Sequence, residues 1–454
     1  MLKTKFKLLA WASLSFIFIL GLLTRLNILQ KLTFWYDEAF SGILIRNDFN
    51  TIVATIIQDR VHPPVYYLSL KLWSDFFGHT DLVLRAFSLV FGLTLILASF
   101  VLIKKIFNTR SAIVASGLFA LSPFFTLYSL EVRSYSMLIL ETLLAVVVFI
   151  KLYDLKFDKV KDLIKIKEFQ LLMILCILML FTHYLSIILI MSFTALLFIK
   201  IFPSFEKIMW GILLIILIFI LGRGALNNGD FRIFPKEATH TAWLDDAKPL
   251  DAGKMLYSYI FGIDTQAIAQ QPVFEIQALT NEISFLTILI SSISIGLFAV
   301  FKRSGKVQTA TKIFLLNILV ISIASLFGIN IFLPRYLTFL AVVYIVWIAS
   351  IVSIINIRGV IIAGLLYLFL LSQVIWVNYN RNFGDINSLR ETAKAERIAV
   401  YSPFDFLVLK YYLNDPNNLY FVDSPHWQMK NRLWPFFETQ EIIDKPLVGD
   451  IVIQ

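Results

Sequence analysis

Leu8-Leu9-Ala10-Trp11-Ala12-Ser13-Leu14-Ser15-Phe16-Ile17-Phe18-Ile19-Leu20-Gly21-Leu22-Leu23, with Lys3, Lys5 and Lys7 before it, decides the class of this chain. No charge interrupts the run, and taken as 6–28 it meets the requirement of about 20 residues for a helix crossing a bilayer core. No small-residue cleavage pattern follows Leu23, so the segment reads as a retained anchor and not as a cleaved signal. Similar runs recur at 82–103, 111–129, 135–152, 168–182, 184–200, 208–222, 284–301, 312–332, 336–356 and 359–378, which makes eleven candidate spans. Composition agrees: 58% of the 454 residues are hydrophobic and 16% charged, against about a quarter charged in soluble domains. That balance excludes a water-soluble globular enzyme, a disordered chain and a disulfide scaffold, and the one cysteine, Cys176, has no partner in the chain.

The net charge of +9 sits in short stretches between apolar runs, which points to membrane topology and away from nucleic acid. With the N-terminus in the cytoplasm, the short inner segments hold 19 basic and five acidic residues, among them Lys104, Lys105, Arg110, Lys200, Lys302 and Arg358. The outer segments hold 20 basic and 25 acidic, with Arg85 and Glu141 set aside as lying within helices. The expectation is an all-α multi-pass protein of the inner or plasma membrane, N-terminus cytoplasmic and C-terminus extracytoplasmic. His183 marks either a tight outer turn between two spans or the middle of one broken helix.

Three outer segments are long. The first, 29–81, contains amphipathic pieces at 41–57 and 66–77, expected to lie along the membrane surface. The second, 223–283, is rich in Gly, Asn, Asp and Pro and predicts a mobile loop. The tail, 379–454, alternates strand-like runs at 398–401, 419–422 and 450–453 with a helical 404–413, so it predicts a small α/β domain beyond the membrane module 1–378.

Residues able to do chemistry gather on the outer side. Asp37-Glu38 follows Phe34-Trp35-Tyr36; adjacent carboxylates suit general-base work, and acids at a helix N-terminus are the structural reading. In Asp59-Arg60-Val61-His62-Pro63-Pro64 the prolines fix His62 at a corner, as a base, an acid, a metal ligand or a hydrogen-bonded structural group. Glu131-Val132-Arg133-Ser134-Tyr135 fills a short turn where charges are costly unless they face a cavity or pair locally. Arg335, in Leu333-Pro334-Arg335-Tyr336, suits a phosphate near the lipid or simple interfacial anchoring. No Walker loop, Rossmann glycine pattern, HExxH or cysteine cluster is present in the sequence.

Tyr36-Asp37-Glu38-Ala39, His62-Pro63-Pro64-Val65-Tyr66-Tyr67, Glu131-Val132-Arg133-Ser134-Tyr135, Thr182-His183-Tyr184 and Arg335-Tyr336, in that order, resemble the prokaryotic branch of the protein O-mannosyltransferase and aminoarabinose-transferase superfamily. The resemblance covers about residues 1–360 and implies a GT-C fold of about eleven transmembrane helices. It further implies a polyprenyl-phosphate-linked sugar as donor and a protein, lipid or glycan hydroxyl as acceptor, with membrane lipid around both. In its terms Asp37 is the base with Glu38 beside it, and Arg133, Arg335, His62 and Tyr66 hold the donor phosphate. Glu131, Tyr135, His183 and Tyr336 support them. A divalent metal (Zn, Mg or Mn) near the phosphate is open, with His62, His183 and Asp59 as candidate ligands.

Direct displacement at the anomeric carbon needs one base and cations for the leaving phosphate, a set that Asp37, Arg133 and Arg335 supply. The alternatives are a lipid-linked sugar flippase or exporter binding the same phosphate, and a glycan polymerase or ligase differing only in acceptor. Scarce polar groups in mid-span weigh against a carrier.

Overall fold

The computed structural model describes residues 2–29, 32–59, 61–157, 159–205, 251–261, 282–302, 305–326 and 331–355, and, further on, 361, 364–365, 368, 398–413, 418–422, 442–443, 445–446 and 451–453. The candidate spans that fall on these residues are helical; 208–222 and nearly all of 359–378 lie outside them. Five of the described helical stretches are long and apolar enough to cross a membrane.

Helix α1 (Leu2–Leu29) leads to three helices at one end of the bundle, α2 (Tyr36–Leu44), α3 (Phe49–Asp59) and α4 (Pro64–Phe77). The piece expected as one helix over 41–57 is therefore two. Asn47 turns its amide onto the carbonyls of Ile43 and Leu44, and Asp48 accepts from the Thr51 N–H at 2.9 Å, so one helix is closed and the next capped within two residues. Pro64 opens α4 at a position that needs no N–H.

The bundle continues with α5 (Asp81–Ile106), α6 (Thr109–Leu121), α7 (Pro123–Tyr128) and α8 (Tyr135–Asp154). The run 111–129 was expected as one span; Pro123 lacks the N–H and its ring excludes the helical carbonyl four residues back, so the helix breaks after Leu121. The released carbonyls are taken up by Arg25 of α1, which is fully buried. It donates to Ala120 O at 2.7 Å, Phe119 O at 3.0 Å and Phe125 O at 3.4 Å, and its Nε donates to Ser129 Oγ at 2.7 Å. Gly92 of α5 is needed beside this knot, since an added Cβ would lie 2.3 Å from Ser129 Cβ.

After a short α9 (Val160–Leu163) come α10 (Lys167–Thr182) and α11 (Ile187–Ile201), parted by His183 and the 3₁₀ turn Tyr184–Ser186. Helix α10 packs along α8, while α11 packs on the later helix Lys306–Leu326 and returns along α8, with Phe193 stacked on Phe149 at 4.3 Å and Lys200 bonded to the carbonyls of Tyr153 and Leu155. His183 is thus a turn between two spans. Helix α12 (Asp251–Phe261) lies inside the segment expected to be a mobile loop. Met255, Leu256 and Tyr259 are fully buried, and Tyr259 accepts at its carbonyl from Ser122 and donates through its hydroxyl to Leu337 O at 2.9 Å, so packing has overruled the polar composition around it. The rest of 223–283, apart from its last two residues, is outside the described residues. Helices α13 (Glu282–Lys302), α14 (Lys306–Leu326) and α15 (Thr338–Val352) complete the described bundle.

At one end Asn108 reaches Ser353 O, Lys306 pairs with Asp154 at 4.0 Å, and Lys200 caps the end of α8. This is the lysine-bearing end that charge alone marked as inner. The opposite end holds Asp37, His62, Arg133 and Arg335. In the tail, parallel strands order as β3 (Ile442–Ile443), β2 (Leu419–Val422), β1 (Ile398–Val400) and β4 (Ile451–Ile453), with α16 (Pro403–Tyr412) between β1 and β2. Ile398, Val400, Phe406 and Leu407 share one apolar core with Phe34, Ala39 and Phe40, so the tail is docked on α2.

Candidate functional site

The acids of α2 part company. Helical geometry sends adjacent side chains about 100° apart, and Asp37 keeps partial exposure while Glu38 is only 2% exposed. Glu38 accepts from Arg85 Nη2 at 2.7 Å and from the Val132 N–H at 2.9 Å. Arg85 in turn donates to Leu130 O at 3.0 Å and Thr33 O at 2.9 Å. The expected catalytic role for Glu38 does not fit this geometry: it is the buried link that ties α2 to α5 and to the turn carrying Arg133. Arg85, set aside in the sequence as merely helical, is its indispensable partner, because an unpaired charge there would be costly.

Asp37 faces Arg133, with Oδ2 and Nη2 3.9 Å apart, and Arg133 Nη1 also reaches the Asp37 carbonyl at 3.4 Å. Arg133 is further held by Tyr67 Oη at 2.9 Å and by His62 Nε2 at 2.5 Å, and the Nδ1 of His62 donates to Asp59 at 2.6 Å. An acceptor Nε2 and a donor Nδ1–H fix His62 as the neutral tautomer in an Asp59–His62–Arg133 chain. Burial, then the adjacent Arg133, depresses the His62 pKa. Burial opposes ionisation of Asp59, but the hydrogen bonds it accepts from the His62 ring and from the backbone N–H groups of His62 and Val61 outweigh it and keep Asp59 below its ordinary value. Arg133 is buried too, yet Asp37 and Tyr67 hold it firmly protonated.

The sequence marked Tyr66 for the phosphate; its hydroxyl instead lies fully buried against Ser88 Oγ at 3.1 Å, and Tyr67, one position on, touches Arg133. Arg335 lies over the Trp35 ring at 5.5 Å and the Tyr336 ring at 5.6 Å, and burial is outweighed by neighbouring Tyr135 and Asp37 in keeping it charged. Trp35 donates its indole N–H to Glu131 Oε1 at 3.1 Å. Burial, with Glu38 and Asp37 nearby, pushes the Glu131 carboxyl up to about 8, so it is largely neutral at neutral pH. Tyr135 packs edge-on against Tyr128 at 5.1 Å and lies 6.1 Å from His183. Burial, then the charge of Arg133, draws His183 down to about 3, which makes it a neutral imidazole.

The candidate metal ligands do not assemble. Both nitrogens of His62 are engaged, and a guanidinium stands where a cation bound to Nε2 would sit. Among the described residues no three His, Cys, Asp or Glu side chains come together to hold an ion.

The site thus sets one partly exposed carboxylate, Asp37, beside the guanidinium of Arg133, with Arg335 held over the rings of Trp35 and Tyr336. The chain superposes on the archaeal oligosaccharyltransferase AglB from Archaeoglobus fulgidus, solved with an inhibitory peptide and a dolichol-phosphate, with a TM-score of 0.52 at 12% identity. The overlay covers 90% of this chain and 64% of that one. The chain shares the fold of that oligosaccharyltransferase. Residues 61–222 also match the family model described as dolichyl-phosphate-mannose-protein mannosyltransferase. That match takes in His62, Tyr67, Arg85, Glu131, Arg133 and His183 of the candidate site and leaves Asp37 and Arg335 outside it. No curated protein sequence matches the chain.

Proposed function

We propose that the protein transfers a sugar from a polyprenyl-phosphate donor to a hydroxyl of a protein acceptor, on the extracytoplasmic face of the membrane. The observation that carries this reading is the 3.9 Å approach of Asp37 to Arg133 at the bundle end where Arg335 also lies. Asp37 takes the proton of the acceptor hydroxyl as its oxygen attacks the anomeric carbon. The bond from that carbon to the phosphate oxygen breaks, and its electron pair leaves with polyprenyl phosphate. Arg133 and Arg335 stabilise the charge that grows on the leaving oxygen. One displacement inverts the anomeric centre. The chain Asp59–His62–Arg133 holds the guanidinium in place and takes no part in proton transfer to substrate.

No step is routed through a metal, because two of the three residues named as ligands, His62 and Asp59, serve Arg133. Turnover after exhaustive chelation, with Mg²⁺, Mn²⁺ or Zn²⁺ added back, is expected to be undiminished; strict dependence on one of these ions overturns that point. The transfer itself is tested with purified protein, a polyprenyl-phosphate sugar and a hydroxyl-bearing peptide. Release of free polyprenyl phosphate coupled to glycopeptide is the expected result. Binding of the lipid with neither product identifies a carrier.

A further inference from the structure

Buried polar atoms without a partner are uncommon in folded proteins, and here two of them, on Glu141 and His183, are linked through Thr182. At the site end of α8, Ser136 Oγ and Glu141 Oε2 are unpartnered among the described residues, as are His183 Nδ1 at the α10–α11 turn and Thr338 Oγ1 at the start of α15. Glu141 is only 7% exposed, and its other oxygen accepts from Thr182 Oγ1 at 3.0 Å. No cation pairs with it among the described residues, so none of their charges balances this carboxyl. An ionisable side chain inside a membrane span is costly, and such residues mark binding sites when no structural partner explains them.

The position ties this group to the phosphate clamp. His183 follows Thr182 and feels the charge of Arg133, and its ring is 6.1 Å from Tyr135, two residues beyond Arg133. Six residues along α8 place Glu141 about 9 Å below Tyr135 along the helix axis. The unmatched atoms are acceptors or hydroxyls, and what they lack is a ligand that brings several O–H groups. A sugar attached to a phosphate at Arg133 is such a ligand.

We propose that Glu141 and His183 form the subsite that recognises hydroxyl groups of the donor sugar, with Thr182 orienting the Glu141 carboxyl. The inference rests on the donor reading above and adds to it the residues that sense the sugar as distinct from the lipid phosphate. The test compares binding of polyprenyl phosphate and of polyprenyl-phosphate mannose to the full-length protein in nanodiscs, for wild type, Glu141→Leu, Glu141→Gln and Thr182→Val. Wild type should bind the mannosyl lipid more tightly than the bare phosphate. Glu141→Leu should weaken the mannosyl lipid by about tenfold and leave the bare phosphate unchanged, since a buried hydrogen bond to a ligand is lost without disturbing the clamp. Glu141→Gln and Thr182→Val should fall between. Equal weakening of both lipids with a lowered melting temperature would make Glu141 a packing residue and overturn the proposal, as would unchanged binding of both. Wild-type protein that binds neither lipid overturns the donor reading and this subsite with it, a result separable from the others.

Discussion

Asp37 and Glu38 are neighbours in sequence and opposites in environment, which lets one substitution at each site separate catalysis from architecture. Asp37→Asn keeps the size and leaves Arg133 its contact with the backbone carbonyl, but removes the proton acceptor. Turnover should fall by about 10²-fold or more with donor binding retained. Normal turnover in this variant would remove Asp37 from the reaction. Glu38→Gln should act differently, through stability: it leaves Arg85 buried and uncompensated, and a loss of about 3 kcal/mol or more is expected in thermal unfolding. Replacing Arg133 or Arg335 by Lys keeps the charge and loses the planar fork, so donor KM should rise in both; an unchanged KM would return them to a role in anchoring. Glu131 gives a pH signature. An anionic phosphate raises the pKa of this carboxyl above its free value of about 8, so binding is linked to proton uptake and donor affinity is flat below that pH and falls above it. Glu131→Gln should flatten the alkaline limb. At this scale the sequence exposed Asp37, Arg133, His62 and Arg335 through their polar types at apolar boundaries. It could not show that Tyr67 and not Tyr66 meets Arg133, or that Arg85 pairs with Glu38, because both facts depend on helix rotation and on partners 66 and 47 residues away.

Helix α2 carries the base and is held from both sides, by Glu38 against the bundle and by α16 of the tail. Tyr412 Oη accepts from the Phe34 N–H at 2.8 Å and donates to Asp81 at 2.7 Å, and the Tyr411 ring stacks on Phe34 at 4.8 Å. Gly42 makes this approach possible: a Cβ there would stand 2.5 Å from Tyr411 Cε2. Gly42→Val should therefore cost about 1–3 kcal/mol in stability and lower turnover more than donor affinity, because α2 shifts and the clamp does not. Tyr412→Phe, which removes two hydrogen bonds without added bulk, should lower turnover in the same sense, and a full-rate Phe variant would show that α2 holds its place without the tail. The element boundaries that could be read were those with local chemistry, such as Pro64. The break between α2 and α3 went unread because the apolar periodicity runs on through it, and only Asn47-Asp48 marks the cap.

Across the molecule, the lysine clusters and the site residues lie at opposite ends of the bundle, the division that charge counting had drawn. If the lysine end faces the cytoplasm, a cysteine at exposed Lys445 or Asn50, introduced after replacing Cys176, should react with an impermeant reagent from outside. One at exposed Lys161 should react only in inverted vesicles. Labelling in the reverse pattern would invert the topology. Helix positions were legible because hydropathy acts locally; packing partners were not, and the buried order of α12 shows how a polar-looking stretch is recruited when aromatic side chains find a slot. The guanidinium of Arg25 has a consequence for biosynthesis. Apart from Gly21 O in the same helix, its acceptors lie 94–104 residues later in the chain, so α1 is inserted before they exist. A lone arginine in a span costs about 2.5–3.5 kcal/mol on the translocon scale, and the nascent anchor must bear this until α6 and α7 arrive. Arg25→Leu should thus ease insertion of α1 alone while leaving the carbonyls beside Pro123 unmet, so early translocation intermediates gain what the finished protein loses.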